Sequence, residues 1–575
     1  MAIDINFMVG GEAGQGVQSV GFLLAKAFAR GGYHIFADQD YESRIRGGHN
    51  FFRVRVKEGR VGAIADPVDM LIALNKETID LHQKELASGG VVIYDGQKIK
   101  AAGDGLFSVP LEKLAQEKAG DKLMTNTVAL GAALGMVRYD FTIVDKLLRE
   151  FFKTPEIGES NVKAARAGYE YAQSEFKGEF AHRISPLGDA RRMLLNGNEA
   201  VALGALAAGC KFMASYPMTP STPILEYMAS KQSDLDLVVV QPEDEISAIN
   251  MAVGAGYAGV RAMTATSGSG FCLMVEGLGL AGITETPVVI VNGQRPGPAV
   301  GLPTRTEQGD LLFALHAHQG DFPRALLAPA NVEDAFWLTV KAFNLAEKYQ
   351  LPVIILTDHY LVSSYETVDK FDLSKITIER GQLYTDGTGD PTEYKRHRIT
   401  DTGISPRAFP GLSKALVMTD ADEHDEEGHL IEDAGMRTQQ MQKRLRKVFS
   451  MKKEISAPWL YGPQKADTLL IGWGSSHGAI HEAVDMLRKE GADINFLHLN
   501  ELWPFPAEAV ADALGKANKS YVIESNATGQ LAWLIRAETG REVTGKILRF
   551  DGRPLTPRYI AQEMIKEGCG HGNRC

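Results

Sequence analysis

The sequence predicts a multidomain α/β protein, and three observations carry that expectation. At 575 residues the chain exceeds what one hydrophobic core can serve, so several domains of about 100–200 residues each are expected. Its composition, 44% hydrophobic and 23% charged, is that of a globular protein. Short apolar runs alternate with longer stretches of helical period over most of the length, as strands joined by crossover helices do.

The elements follow in order. Strands are expected at 5–9, 51–56, 70–74 and 91–94, with helices at 17–29 and 161–174, which gives a first α/β domain with a parallel sheet at 1–185. A second domain, 190–370, opens with a capped helix at 197–201. It then repeats a strand-turn-helix pattern six times, with strands at 212–215, 237–241, 262–265, 288–292, 324–327 and 353–356. Periodicity fades at 371–460, where an acidic run at 420–427 and a helix at 436–449, rich in Gln, Lys and Arg, read as a solvated polar linker or surface excursion. The α/β rhythm resumes in a last domain at 461–575, with strands at 468–473, 494–499, 520–524 and 547–551.

Composition excludes several classes. A net charge of −11 argues against a nucleic-acid partner. No apolar run nears the roughly 18 residues of a membrane span, and the start lacks the basic region of a signal peptide, so a cytoplasmic protein is expected. Cys210 and Cys272 lie in apolar segments and are expected as buried thiols. Cys569, His571 and Cys575 sit on a glycine-rich end that reads as a tail and not a metal site, and no four-cysteine framework for a cluster is present.

In an open parallel sheet, ligands bind beyond the carboxyl ends of the strands, so the residues after the six strands of the second domain are the candidates. The first group, 216–222, contains Tyr216 and Thr219 between two prolines, with Ser221 or Thr222 placed to cap the next helix. The acids Glu243, Asp244 and Glu245 open a helix, where they complement its dipole; one of them, walled by apolar residues, would also suit proton sharing with a ring nitrogen. Ser267 and Gly268 follow the third strand. Arg295, on a stiff loop of glycines and prolines, suits bidentate capture of a carboxylate, and Arg305 competes for that role. In the first domain a glycine loop at 10–17, with Gly14 and Gly16, follows a strand and opens a helix, the context for backbone N–H groups to meet a phosphate or for a tight structural turn. Val17 stands where a P-loop has Lys, and Ser19 where a dinucleotide loop has Gly. Gly103-Asp104-Gly105, with Asn126 beyond, reads as a surface turn, because no apolar strand leads into it.

Tyr216-Pro217-Met218-Thr219-Pro220-Ser221 with Glu245, and with Arg295 fifty residues further on, resembles the α part of the 2-oxoacid:ferredoxin oxidoreductases. Segments 264–270 and 294–310 add to the likeness, and the glycine loop with Arg46-Gly47-Gly48 resembles the γ part, fused ahead of α. The resemblance covers most of the chain apart from 371–460. It implies a γ-like domain, a thiamine-diphosphate pyrimidine-binding-type domain and a transketolase C-terminal-like domain. The implied reaction takes a 2-oxoacid and coenzyme A to acyl-CoA, carbon dioxide and reduced ferredoxin. By the same resemblance Glu245 is catalytic and meets the aminopyrimidine ring of thiamine diphosphate, Ser267 and Gly268 contact that cofactor, and Thr219, Tyr216, Arg295 and Arg305 bind substrate. Gly14 and Gly16 are weaker candidates for coenzyme A or another phosphate. The metal-diphosphate site and the cluster cysteines are missing from the sequence, which implies that Mg2+ and a four-iron four-sulfur cluster lie on a separate β subunit, in an (αβ)2 heterotetramer. The stretch 301–310 leans toward 2-oxoglutarate. Pyruvate, branched-chain oxoacids and indolepyruvate stay open as substrates, as does the reverse, carboxylating direction of a reductive tricarboxylic acid cycle. Two readings compete: a flavin or nicotinamide reductase using the glycine loop, and a non-catalytic assembly subunit.

Overall fold

The computed structural model describes residues 3–43, 47–178, 180–188, 192–386 and 389–569. Two compact units result: the first is Met1–Leu195 with Ser363–Phe371 and Thr556–Arg558, the second Asn196–Val362, Asp372–Leu555 and Tyr559–Cys575.

The first unit is built on an eight-stranded sheet in the order Leu106–Ser108, Leu86–Tyr94, Val68–Ala73, Asp4–Ala13, Gly47–Lys57, His34–Asp40, Tyr365–Val368, Met193–Asn196. The sheet is parallel over the first four of these and antiparallel where Gly47–Lys57 meets Asp4–Ala13 and His34–Asp40, so it is mixed where a parallel sheet is expected from sequence. The link from residue 40 to residue 47 is too short for a parallel crossover, which takes a dozen or more residues, and so the chain returns antiparallel. The helix Thr125–Met136 has no apolar stripe to betray it; Gly131 and Gly135 let its backbone close on the helix Pro155–Glu175, at the carbonyls of Ala165 and Tyr169.

In the second unit all six expected strands form, as Phe212–Ala214, Val238–Val240, Ala262–Thr266, Val288–Gln294, Ala325–Leu327 and Pro352–Asp358, each parallel to its neighbours. A seventh, Glu501–Trp503, comes from the last stretch of the chain and pairs antiparallel with Ala325–Leu327. A second sheet of five strands runs Trp459–Tyr461, Ile494–Leu499, Thr468–Trp473, Lys519–Glu524, Gly545–Leu548. Its last strand stops at Leu548, short of the expected end at 551, because Phe550 is exposed and Asp551 turns back to accept from Arg549 Nε at 3.1 Å. One hydrophobic core joins the two sheets, with Leu326, Ile354 and Leu356 of the first among the same cluster as Leu469, Ile471 and Trp473 of the second.

The stretch 371–460 is polar and largely exposed, but buried charges anchor it to the rest of the second unit, so it is more than the solvated linker or surface excursion expected from sequence. Fully buried Glu285 pairs with Lys443 at 2.6 Å and Lys447 at 2.5 Å, and the His397 ring nitrogen Nδ1 lies 3.0 Å from its carboxylate. In the acidic run, Glu423 is clasped by Arg437 and Arg444, and His424 is buried. These charges neutralise one another, so the segment packs without an apolar stripe. Among the described residues no helix is long and apolar enough to cross a membrane.

Candidate active site

The carboxyl ends of the six parallel strands in the second unit bring most of the expected residues into one crevice. The loop after Phe212–Ala214 is tied to the neighbouring strand, with Ser215 Oγ donating to the Ala265 carbonyl at 2.6 Å and Ser221 Oγ to the Thr266 carbonyl at 2.7 Å. Ser221 holds the N-cap position of the helix Thr222–Ser230 but makes no side-chain cap; its hydroxyl donates to the Thr266 carbonyl instead. Gly293 has no side chain where a Cβ would come 2.5 Å from Ser221 Oγ, which lets this loop settle on the strand Val288–Gln294. Tyr216 lies at the rim, 37% exposed, and Thr219 is half-buried.

Glu245 is the first residue of the helix Glu245–Tyr257, behind Asp244, whose side chain caps the helix by accepting from the Ser247 N–H at 2.8 Å. The triplet therefore divides its work: Asp244 answers the helix end and leaves Glu245 free of it. Glu245 is only 4% exposed, yet its Oε1 is buried with no hydrogen-bond partner. Gly270 lies across from it, where a Cβ would come 2.6 Å from that oxygen. Two hydroxyls nearby in sequence are also buried and unpartnered, Thr264 Oγ1 and Ser267 Oγ. Ser267 is the N-cap of the helix Gly268–Ile283, again without a side-chain cap.

Arg295, 8% exposed, reaches back across the crevice. Its Nη1 donates to the Thr219 carbonyl at 2.7 Å and its Nη2 to Ser269 Oγ at 3.4 Å. Burial pulls its pKa down from the ordinary value, while Asp310 acts the other way. Asp310 accepts from Asn292 Nδ2 at 3.0 Å, and burial raises its pKa against the pull of that bond and of Arg295. Arg305, the rival arginine, is half-buried further along the loop, with its stem against Gly552. Around it the loop is clamped to the five-stranded sheet: Gln308 Nε2 donates to the Trp473 carbonyl at 2.9 Å, and Asp358 accepts from Thr306 Oγ1 at 3.2 Å and from Ser475 Oγ at 2.5 Å.

Sequence reasoning missed Asn292, and gave no role to Ser269, Gln294 and Asp310 within the segments 264–270 and 294–310. A signal was present: Asn292 and Gln294 are polar residues two apart at the end of the fully buried strand Val288–Gln294, where polar side chains need partners. Cys210 is buried, which pushes its thiol up to about 12, but Cys272 is exposed, because the helix Gly268–Ile283 turns that position outward. In the first unit, Gly14 (φ 93°) and Gly16 (φ 79°) lead into the helix Val17–Arg30, and Gly16 lies against Asn126 Nδ2. Gly47 and Gly48 take φ of 71° and 74°, while Arg46 and residues 570–575 lie outside the described residues.

A 2-oxoacid:ferredoxin oxidoreductase subunit alpha from Sulfolobus is 33% identical to this chain, over 98% of this chain and 96% of that one. The chain belongs to the 2-oxoacid:ferredoxin oxidoreductase family. Three family models divide this α-type subunit: pyruvate ferredoxin/flavodoxin oxidoreductase at residues 6–171, its thiamine-diphosphate-binding domain at 203–443, and core domain II of pyruvate:ferredoxin oxidoreductase at 466–560. The crevice falls wholly within the second of these. The solved 2-oxoglutarate:ferredoxin oxidoreductase of Magnetococcus marinus, with 2-oxoglutarate, coenzyme A and succinyl-CoA bound, matches this oxidoreductase subunit with a TM-score of 0.92 at 33% identity, over 98% of this chain and 99% of that one. The 2-oxoglutarate oxidoreductase subunit KorA of Mycobacterium tuberculosis is 30% identical over 92% of this chain and 86% of that one.

Proposed function

We propose that this chain is one half of a composite active site that oxidises 2-oxoglutarate with coenzyme A to succinyl-CoA and carbon dioxide and passes the electrons to ferredoxin. The other half is a β subunit carrying Mg2+ and a four-iron four-sulfur cluster, in an (αβ)2 heterotetramer of the cytoplasm. One observation carries the reading: the buried Glu245 Oε1 has no partner within the chain. Leaving a buried acceptor unpaired costs about 1–3 kcal/mol, more when it is charged, so a ligand that donates to it is called for.

Thiamine diphosphate fits that demand. Glu245 would meet a ring nitrogen, while Ser267 Oγ, unpartnered at a helix start, and Gly268, which adds no side chain, would line its seat. When bound, the cofactor supplies the electron sink that lets a 2-oxoacid lose carbon dioxide. Glu245 shares a proton at the ring nitrogen, and its burial keeps water from competing for that proton. Arg295 takes the carboxylate next to the oxo group, Thr219 and Tyr216 bound the substrate on the other side, and Arg305 suits a second, distal carboxylate. Gly14 and Gly16, at the start of the helix Val17–Arg30, offer backbone N–H groups to a phosphate of coenzyme A. The choice of 2-oxoglutarate is supported by the relatives named for that substrate.

The test is co-purification with the partner subunit, followed by coenzyme A-dependent reduction of a viologen dye with different 2-oxoacids. Activity is expected only with both chains and fastest with 2-oxoglutarate; faster turnover of pyruvate would overturn the substrate choice. Glu245→Gln in the same complex is expected to lower kcat by about 10²–10⁴-fold, and turnover within twofold of the parent would refute its catalytic role.

A further inference from the structure

We propose that Asp310 is the positioning residue of Arg295 and thereby sets how tightly the site holds the carboxylate of a 2-oxoacid; this rests on the reading above, in which Arg295 takes that carboxylate. Asp310 stands at the N-cap of the helix Leu311–His316, where an aspartate ordinarily accepts from the first N–H groups, yet it makes no such bond. Its side chain turns to the strand Val288–Gln294 instead, accepting from Asn292 Nδ2 at 3.0 Å, and its backbone N–H donates to Gln294 Oε1 at 3.0 Å. Arg295 is the next residue after that strand. The far end of the loop 295–310 is therefore pinned by the side chains of Asn292 and Gln294 to the strand end from which the loop starts, with a guanidinium at one end and a carboxylate at the other.

The carboxylate also rests on the start of the helix Gly268–Ile283. A Cβ on Gly268 would come 2.6 Å from Asp310 Oδ2, so only glycine leaves it room. The next residue, Ser269, is the one whose hydroxyl meets Arg295 Nη2. Both hydrogen bonds of the guanidinium go to neutral oxygens, the Thr219 carbonyl and the Ser269 hydroxyl. Asp310 makes no direct bond to the guanidinium; it fixes the strand end from which Arg295 emerges, through Asn292 and Gln294, and is an opposite charge that favours the charged guanidinium. Two neutral contacts, on a strand end that Asp310 anchors, thus hold a buried cation in place before any substrate arrives. Less ordering remains to be done on binding, which favours affinity. The other titratable groups that face Asp310 are Glu307 on the same loop and Cys272 on the helix Gly268–Ile283.

The experiment uses the chain co-purified with its partner subunit. KM and kcat for 2-oxoglutarate, and the Kd of the unreactive mimic N-oxalylglycine by calorimetry, are measured for the parent, Asp310→Asn and Arg295→Gln. Asp310→Asn is expected to raise KM and Kd about five- to tenfold, with kcat changed less than about twofold. The proposal is overturned if the variant binds as tightly as the parent or more tightly. Arg295→Gln separates the two layers: unchanged binding there refutes the substrate role of Arg295 itself, whereas lost binding there with an unaffected Asp310→Asn refutes only the role of Asp310. Asn292→Ser frees the Asp310 carboxylate without touching either charge. It is expected to raise KM and Kd in the same direction, and decides the matter where Asp310→Asn does not assemble.

Discussion

Glu245 keeps its buried oxygen in place through what Gly270 lacks. A methyl group there would come 2.6 Å from Glu245 Oε1 and closer still to Thr266 Oγ1, so one of them must move. Alanine favours a helix over glycine by about 1 kcal/mol, so Gly270→Ala spares the helix Gly268–Ile283 and displaces the carboxylate. We expect it to lower kcat in the assembled enzyme by about tenfold or more, since a misplacement near 1 Å can cost about 10²-fold, with helical content by circular dichroism unchanged. Full activity with an intact helix would show that the carboxylate tolerates displacement. An acid at this place was legible in the sequence because Glu243, Asp244 and Glu245 open a helix after a strand, but the choice of Glu245 among them came from the family resemblance. The role of Gly270 was not legible, because it depends on which side chain lies across from it.

The helix Ala434–Met451 shows how an element can be visible while its environment is hidden. Its buried face is Gln440, Lys443, Arg444, Lys447 and Met451, a stripe of helical period written almost wholly in polar residues. A search for apolar periodicity finds the helix by composition and assigns that face to water. What the local sequence cannot supply is Glu285, far away in the chain and fully buried. Burial alone would raise the pKa of Glu285, but Lys443, Lys447 and His397 hold it well below the usual carboxylate range. In return, burial pulls Lys443 down to about 8 in spite of that carboxylate. Glu285→Ala leaves two buried ammonium groups uncompensated and is expected to destabilise the fold by about 3–5 kcal/mol in urea titration. Removing the charges together, as Glu285→Leu with Lys443→Met and Lys447→Met, should recover much of the loss. A small effect of Glu285→Ala alone would mean that the lysines find water, and that the segment is a solvated excursion after all.

At the scale of the molecule, the six central strands and their parallel sheet were readable because each strand left its own apolar run, although their order in the sheet was not. The core shared by the two sheets of the second unit was not, since Leu326 and Ile471 carry no local mark of each other. The same distance from local signal hides the response of this unit to acid. His498 lies on the strand Ile494–Leu499, 3% exposed, with both ring nitrogens unpartnered. Burial, aided by His477, depresses its pKa well below 6.5, and burial with the nearby His481 takes His477 down to about 4. The unfolded chain therefore takes up protons below about pH 6.5 that the folded chain refuses, so each histidine withdraws stability as pH falls, at about 1.4 kcal/mol per unit. Asp334 acts in the opposite sense: burial lifts it to about 6, so between that value and its ordinary 3.8 the folded state holds a proton that the unfolded state releases. Because such terms partly cancel, the informative quantity is a difference between two proteins. His498→Leu removes one buried base and leaves no orphaned polar atom behind, so its stability relative to the parent should rise by about 2 kcal/mol between pH 6.5 and 5. Urea midpoints of the two proteins at several pH values read this directly. A gap that stays constant would mean that His498 is protonated in the folded chain and that water or a partner atom reaches a ring now enclosed on every side.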